Sequence, residues 1–263
     1  MQCINPSRRL FTQGLALAAG AAAFPRAFAA DGTPLLVMAG AGYRRPVEAL
    51  CAAFSAQTGA SVERSYGNLQ QLFAQIRASG RVDALIGDEE LIAQNNHLDL
   101  PQRVVLGQST MVLAWRRKLL GRYSPQPITD PVRDLPSMQT LCMTNPQTIF
   151  GRAGKAWLQA KGLWEPLQDK LKIVQTLPQV SAYLTSGQID AGFLNLTEAL
   201  AVKGQLGGYI ALQPGPGSYA PIDIIAAMPA ASAGDPATAS ARAAFARFLQ
   251  TDPARATLRD NGL

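Results

Sequence analysis

The chain has 263 residues, 48% hydrophobic and 16% charged, which excludes a disordered or low-complexity protein and leaves room for one large domain or two lobes of roughly 100 residues each. Its formal charge of +6 is halved once Arg8, Arg9 and Arg26 are assigned to a leader without acids. What remains has no Lys/Arg block beyond Arg116-Arg117-Lys118, an ordinary solvated run, and this excludes a nucleic-acid footprint.

Ser7-Arg8-Arg9-Leu10-Phe11, an Ala-rich run over 14–24 and Ala27-Phe28-Ala29 predict a Tat-type secretion signal over 1–29, cleaved before Ala30. The apolar run is shorter than the ~20 residues a membrane span needs. No Cys stands at the cleavage point to carry a lipid. A soluble periplasmic protein is expected, with the Tat translocase as its partner during export. Cys51 and Cys142 then enter an oxidising compartment. They fall in different predicted halves and read as buried free thiols, with a disulfide as the alternative.

The mature chain alternates strand and helix. Leu35–Ala39 reads as a buried strand, and Pro46 opens a helix with Val47, Leu50, Cys51 and Phe54 on one face, stopped by Gly59. Val62–Tyr66 is the next strand. Asn68 then caps a helix carrying Leu69, Leu72, Phe73 and Ile76, and Asp83–Gly87 is a third strand. A helical stretch over Glu89–Asn95 precedes an apolar strand, Thr110–Trp115, and a Pro-rich loop over 121–136. The alternation restarts with strand Leu141–Thr144, helix Arg152–Lys161, helix Pro178–Ser186, strand Asp190–Leu194 and a short helix Leu196–Lys203. Strands Tyr209–Leu212 and Ile222–Ala227 flank a Pro214-Gly215-Pro216-Gly217 turn, and helices Ala237–Gln250 and Pro253–Asp260 close the chain. The pattern has no repeat of fixed period. It predicts α/β architecture with mostly parallel sheets flanked by helices, either as two lobes or as one continuous sheet.

Ordinary enzyme chemistry finds little to work with, and no catalytic residue is assigned. The one histidine, His97, lies in a polar stretch without a marked partner. No G-x-S-x-G, H-E-x-x-H or C-x-x-C occurs, no metal ligands are marked, and Arg45 occupies the place of the third glycine of a dinucleotide fingerprint. What recurs is the strand-to-helix turn. Gly40-Ala41-Gly42-Tyr43, Gly67–Gln71, Gln147–Gly151 and Thr176–Gln179 all open helices, and two of them have the spacing of a capping box. Helix N-termini at the carboxyl ends of parallel strands bind anions with backbone N–H groups and need no fixed charge.

The ordered segments resemble the periplasmic molybdate-binding proteins of ABC importers. They are Leu36-Val37-Met38-Ala39-Gly40-Ala41-Gly42, Val62…Tyr66-Gly67-Asn68, Ser79-Gly80 and Asp83–Asp88, then Asn145-Pro146, Gly154-Lys155-Ala156…Lys161-Gly162-Leu163-Trp164-Glu165, Asp190-Ala191-Gly192-Phe193 and the ending Phe248…Leu263. The resemblance covers nearly all of the mature chain. It implies the two-lobed periplasmic binding-protein fold with two crossing hinge strands, lobe one being 30–109 and 208–263 and lobe two 110–207. It implies a bound oxyanion, molybdate or tungstate first, rather than a cofactor, and an ABC permease as partner to a monomer. Carried over by position, a first-turn hydroxyl falls on Gly42, second-turn serines on Asn68, Leu69 and Gln70, backbone contacts on Gly151 and Leu177, and a binding tyrosine on Asn195. With Ala41, Tyr43 and Arg44 beside them, these form the expected site. The lost hydroxyls, and the presence of Arg44, keep open a larger phospho- or carboxylate anion. A sensor module, or a Tat-exported redox or cofactor protein, is the competing reading.

Overall fold

Six residues without a polar side chain, Leu35–Gly40, are buried at every position and form the first strand, β1, as expected for a parallel strand covered on both faces. A computed structural model describes residues 33–95, 97–118, 126–230 and 232–263; the expected signal lies outside the described residues. After β1 come α1 (Arg44–Thr58), β2 (Val62–Gly67), α2 (Leu69–Ser79), β3 (Ala84–Asp88), α3 (Glu89–Gln94), β4 (Gln102–Gln108) and β5 (Met111–Arg116). The middle of the chain adds α4 (Pro131–Asp134), β6 (Leu141–Thr144), α5 (Ile149–Ala160), α6 (Trp164–Leu167), β7 (Leu171–Val174), α7 (Leu177–Thr185), β8 (Ala191–Asn195) and α8 (Leu196–Val202). The last elements are β9 (Leu206–Ala211), β10 (Asp223–Met228), α9 (Ala239–Phe248) and α10 (Asp252–Asp260).

The strands make two five-stranded sheets, ordered β2-β1-β3-β10-β4 and β7-β6-β8-β5-β9. In each sheet the first three strands are parallel, and the fourth runs antiparallel to both of its neighbours. The two-lobed α/β fold is therefore present, as expected. The two crossings pair with each other. Ser109 donates its N–H to Ile222 O (2.8 Å), and Leu212 donates to Met111 O (2.9 Å). The Tyr219 hydroxyl pins the same point, accepting from Met111 N (3.1 Å) and donating to Leu212 O (2.6 Å). Gly208, where the sequence places the return to lobe one, lies inside β9 and pairs with Trp115 in the second sheet. The return runs from Ala211 to Asp223, because β9 completes the second sheet before the chain leaves it.

Helix faces follow the 3.6-residue period. Val47, Leu50, Cys51 and Phe54 are the buried face of α1, which ends at Gly59 in the left-handed conformation (φ 76°). Phe54 meets Phe245 and Phe248 of α9 at 5.1 and 5.6 Å between ring centroids, fastening the C-terminal helices to lobe one. Cys51 and Cys142 are buried free thiols, each pushed up to about 12 by burial. No helix among the described residues is long and apolar enough to cross a membrane.

The structure brings out a correspondence that the search for a fixed period overlooks. Ser79-Gly80-Arg81-Val82-Asp83-Ala84 leads into β3, and Ser186-Gly187-Gln188-Ile189-Asp190-Ala191 leads into β8. Both aspartates are buried and do the same work. Asp83 accepts from Leu36 N (2.8 Å) and pairs with Arg242 (3.0 Å). Asp190 accepts from Gln139 N (2.9 Å) and Thr140 N (3.0 Å) and pairs with Arg116 (3.0 Å).

Candidate functional site

Four strand-to-helix turns, two from each lobe, meet around one cleft. Its volume is about 550 Å³, open mouth included. Lobe one supplies Gly40–Tyr43, Gly67–Gln70 and Leu91; lobe two supplies Thr144, Gln147–Phe150 and Gln175–Leu177.

Local sequence explains why helices begin here. Asn68 is the N-cap of α2: its Oδ1 accepts from Gln71 N (2.9 Å), and Gln71 Oε1 accepts from Asn68 N (3.4 Å). Thr148 caps α5 by accepting from Gly151 N (3.2 Å). Before α7, Gln179 Oε1 accepts from Thr176 N (3.0 Å) and Gln175 N (2.8 Å). A short 3₁₀ turn, Ala41–Tyr43, joins β1 to α1 without a side-chain cap. The first N–H groups of a helix have no carbonyl to bond within it. Here they belong to Leu69, Gln70, Ile149, Phe150 and Leu177, all of which line the cleft.

No Lys, Arg, His, Asp or Glu is among the described residues lining the cleft. Its polarity comes from backbone N–H groups, the positive ends of the helices, and neutral amides and hydroxyls. Leu69, Leu91, Ile149, Phe150 and Leu177 supply apolar walls. Such a wall lowers the local dielectric and strengthens each N–H···anion contact.

Six of the expected site residues line the cleft: Ala41, Gly42, Tyr43, Asn68, Leu69 and Leu177. Three stand elsewhere. The Arg44 side chain is 68% exposed, 3.9 Å from Glu48, with its guanidinium 5.2 Å over the Tyr66 ring. Gly151 gives its N–H to Thr148, and a Cβ there would lie 1.9 Å from Asn145 O. That glycine serves the close packing of α5 on the preceding turn. Asn195 is fully buried: Oδ1 accepts from Glu198 N (2.9 Å), and Nδ2 donates to Gly42 O in the opposite lobe (3.0 Å). The cleft also contains Thr144, Gln147, Thr148, Ile149, Phe150, Gln175 and Thr176, which the expected set lacks. The sequence marks Gln147–Gly151 as a helix-opening turn, but the resemblance carries over only Gly151 from it, whereas the Thr148 cap starts α5 at Ile149 and turns Gln147–Phe150 to the cleft.

At the inner end, the Tyr43 ring lines the cleft while its hydroxyl is enclosed beside Ser109 and Asn195. Neither that hydroxyl nor Ser109 Oγ has a partner in good hydrogen-bond geometry among the described residues, although Ser109 and Asn195 lie close enough to favour the phenolate slightly. Burial raises the Tyr43 phenol well above its ordinary value, so it stays protonated. Asp88, nearby, caps α3 through Leu91 N (2.8 Å). Burial raises its carboxyl, opposed by that hydrogen bond and by Arg152. Arg152 lies across the cleft, 3.2 Å from Glu90 and 4.0 Å from Asp88.

A family model for bacterial extracellular solute-binding proteins matches residues 35–263. Among solved structures, the chain is similar to the periplasmic molybdate-binding protein of Azotobacter vinelandii, at 24% identity and a TM-score of 0.71, over 87% of this chain and 97% of that one. It is similar to a sulfate-binding protein of Mycobacterium tuberculosis (18%, TM-score 0.65, 88% and 86% covered). It is also similar to PEB3 of Campylobacter jejuni with bound L-phospholactate (12%, TM-score 0.64, 87% and 98% covered).

Proposed function

The chain belongs to the bacterial extracellular solute-binding proteins, and from that premise we propose that it captures a compact oxyanion, molybdate or tungstate first, between its two lobes. One observation carries this reading: helix N-termini from both lobes converge on a cleft with no charged side chain among the described residues that line it. A multivalent anion is held there by aligned N–H groups, and only when both lobes contribute. Ligand therefore favours the closed arrangement through its differential affinity. No chemical step is assigned; the protein delivers its solute to an ABC permease. The twin arginine at Arg8-Arg9 and Ala27-Phe28-Ala29 support Tat export and maturation near Ala30 into a soluble periplasmic monomer.

A second reading is favoured by the apolar part of the cleft lining. The apolar walls suit a short carbon skeleton. A phospho- or carboxylate anion would place its charged end at the N–H groups and its carbons against Leu91, Ile149 and Phe150. The ligands named for the three similar structures described above, molybdate, sulfate and L-phospholactate, are anions.

A thermal-shift screen against sodium molybdate, tungstate, sulfate, phosphate and L-phospholactate separates the two. A ligand at 100 times its Kd stabilises the folded state by about 2.7 kcal/mol. Molybdate and tungstate are expected to give the largest shift. A larger shift with phospholactate selects the second reading, and no shift with any of the five rejects both.

A further inference from the structure

We propose that Asn195 and Asp88 are the two arms of a reciprocal clamp: positioning residues that hold the lobes closed and fix the turns that bind ligand. The two occupy equivalent places. Each stands five positions after the buried aspartate of the shared Ser-Gly-x-x-Asp-Ala segment, at the end of β8 or β3. Each is buried and caps the following helix, Asn195 through Glu198 N (2.9 Å) and Asp88 through Leu91 N (2.8 Å). Each side chain also reaches toward the other lobe, Asn195 through its free amide nitrogen and Asp88 through the same oxygen that caps α3. Asn195 Nδ2 donates to Gly42 O, on the turn that opens α1 (3.0 Å). Asp88 Oδ1 lies 4.0 Å from Arg152, at the start of α5. α1 and α5 follow β1 and β6, which hold the same place in their sheets, so the contacts are related as the lobes are.

Neither contact survives separation of the lobes. Gly42 lines the cleft, and anchoring its carbonyl fixes the orientation of the Ala41–Tyr43 turn toward the ligand. Side-chain substitution cannot readily replace this contact, because a Cβ on Gly42 would lie 2.6 Å from Leu177 Cδ1 and 3.2 Å from Asn195 Nδ2. The arms differ in chemistry. Asn195–Gly42 is a neutral bond, fully buried and shielded from salt. Arg152 is 45% exposed and shared with Glu90, so its arm is screened.

Two substitutions separate clamp from cap. Asp and Ser cap helices about as well as Asn. Asn195→Asp therefore keeps the Glu198 contact but sets a carboxylate against the Gly42 carbonyl. Asn195→Ser keeps a cap, adds no buried charge and is too short to reach Gly42. Small-angle scattering on the ligand-free chain reads closure directly. Both variants are expected to show a larger radius of gyration than wild type, with far-UV circular dichroism unchanged. With sodium molybdate as probe, the dissociation rate constant should rise about tenfold, the worth of roughly one buried hydrogen bond. Asp88→Asn should raise it about two- to threefold at low salt, the scale of an exposed pair, and not at all at high salt. Wild-type scattering in both Asn195 variants overturns the proposal. The rate measurement rests on the oxyanion reading and the scattering does not. A wild-type chain that ignores molybdate, sulfate and L-phospholactate, while Asn195→Ser still opens, rejects the ligand and keeps the clamp.

Discussion

The two lobes solve the same backbone problem with different side chains. Sheet order, strand directions, the left-handed glycine before the buried aspartate (Gly80, φ 66°; Gly187, φ 75°) and the capped helix that follows β3 or β8 all correspond. The partners do not. Asp83 takes its arginine from α9, at the end of the chain, whereas Asp190 takes Arg116 from the crossing strand β5. The first turn is an uncapped glycine turn in lobe one and a threonine-capped one in lobe two. Backbone geometry is thus the shared element, and the cleft is built mostly from it. Side chains that reach the ligand can change while the N–H groups stay in place.

The largest expected effects test whether the lobes are equivalent in stability. Asp190→Ala removes the buried carboxylate that pairs with Arg116 and accepts from two backbone N–H groups, and Asp83→Ala removes the one that pairs with Arg242 and accepts from Leu36 N. Each should cost about 3–5 kcal/mol in urea unfolding, the range for breaking a buried pair from one side. Trp115, Trp157 and Trp164 all belong to lobe two. Tryptophan fluorescence should therefore follow Asp190→Ala closely, while Asp83→Ala moves circular dichroism first. Identical shifts in both probes for both variants would mean that the lobes unfold as one unit.

Next come the two glycines. In Gly151→Ala, the Cβ meets backbone atoms of Asn145 within its own lobe, and a loss of about 1–3 kcal/mol of stability is expected. In Gly42→Ala, the Cβ meets the end of a Leu177 side chain in the other lobe. Stability should stay within about 0.5 kcal/mol, while ligand affinity and closure fall. Thermal melts and titration calorimetry on the pair decide, and a reversal of the two effects would break the distinction between packing glycine and cleft glycine. The caps follow. Asn68→Ala and Thr148→Ala should each cost about 1 kcal/mol of stability, read as a lower melting temperature. The smallest effect is at Arg44, whose side chain stacks on Tyr66 at the surface. Arg44→Ala should change the dissociation constant by less than about 0.5 kcal/mol. A tenfold loss there would bring the guanidinium into the site and favour the larger anion.

Much of this was legible in the sequence, and the exceptions share causes. β1, β3, β5, β6, β8 and β10 read as apolar runs because their faces are covered. β4 and β7 escaped because neither is a continuous apolar run. Gln102–Gln108 alternates buried Val104 and Leu106 with exposed Arg103 and Val105, between polar ends, and Leu171–Val174 is only four residues long. The turns of the cleft were legible through Asn68, Gln71, Thr176 and Gln179, because capping is a local interaction. Asn195 was legible as a turn residue but not as a clamp, since Gly42 is 153 positions away. Sequence spacing carries no information about contacts between lobes.

The central claim is that backbone N–H groups of both lobes hold an oxyanion without a charged partner. Crystals grown with sodium molybdate, measured at the molybdenum absorption edge, test it most directly. The account predicts one anomalous peak in the cleft, within hydrogen-bonding distance of N–H groups from both the Gly42–Leu69 side and the Ile149–Leu177 side. A peak bound by arginine or lysine side chains elsewhere, or an empty cleft at saturating molybdate, would contradict it.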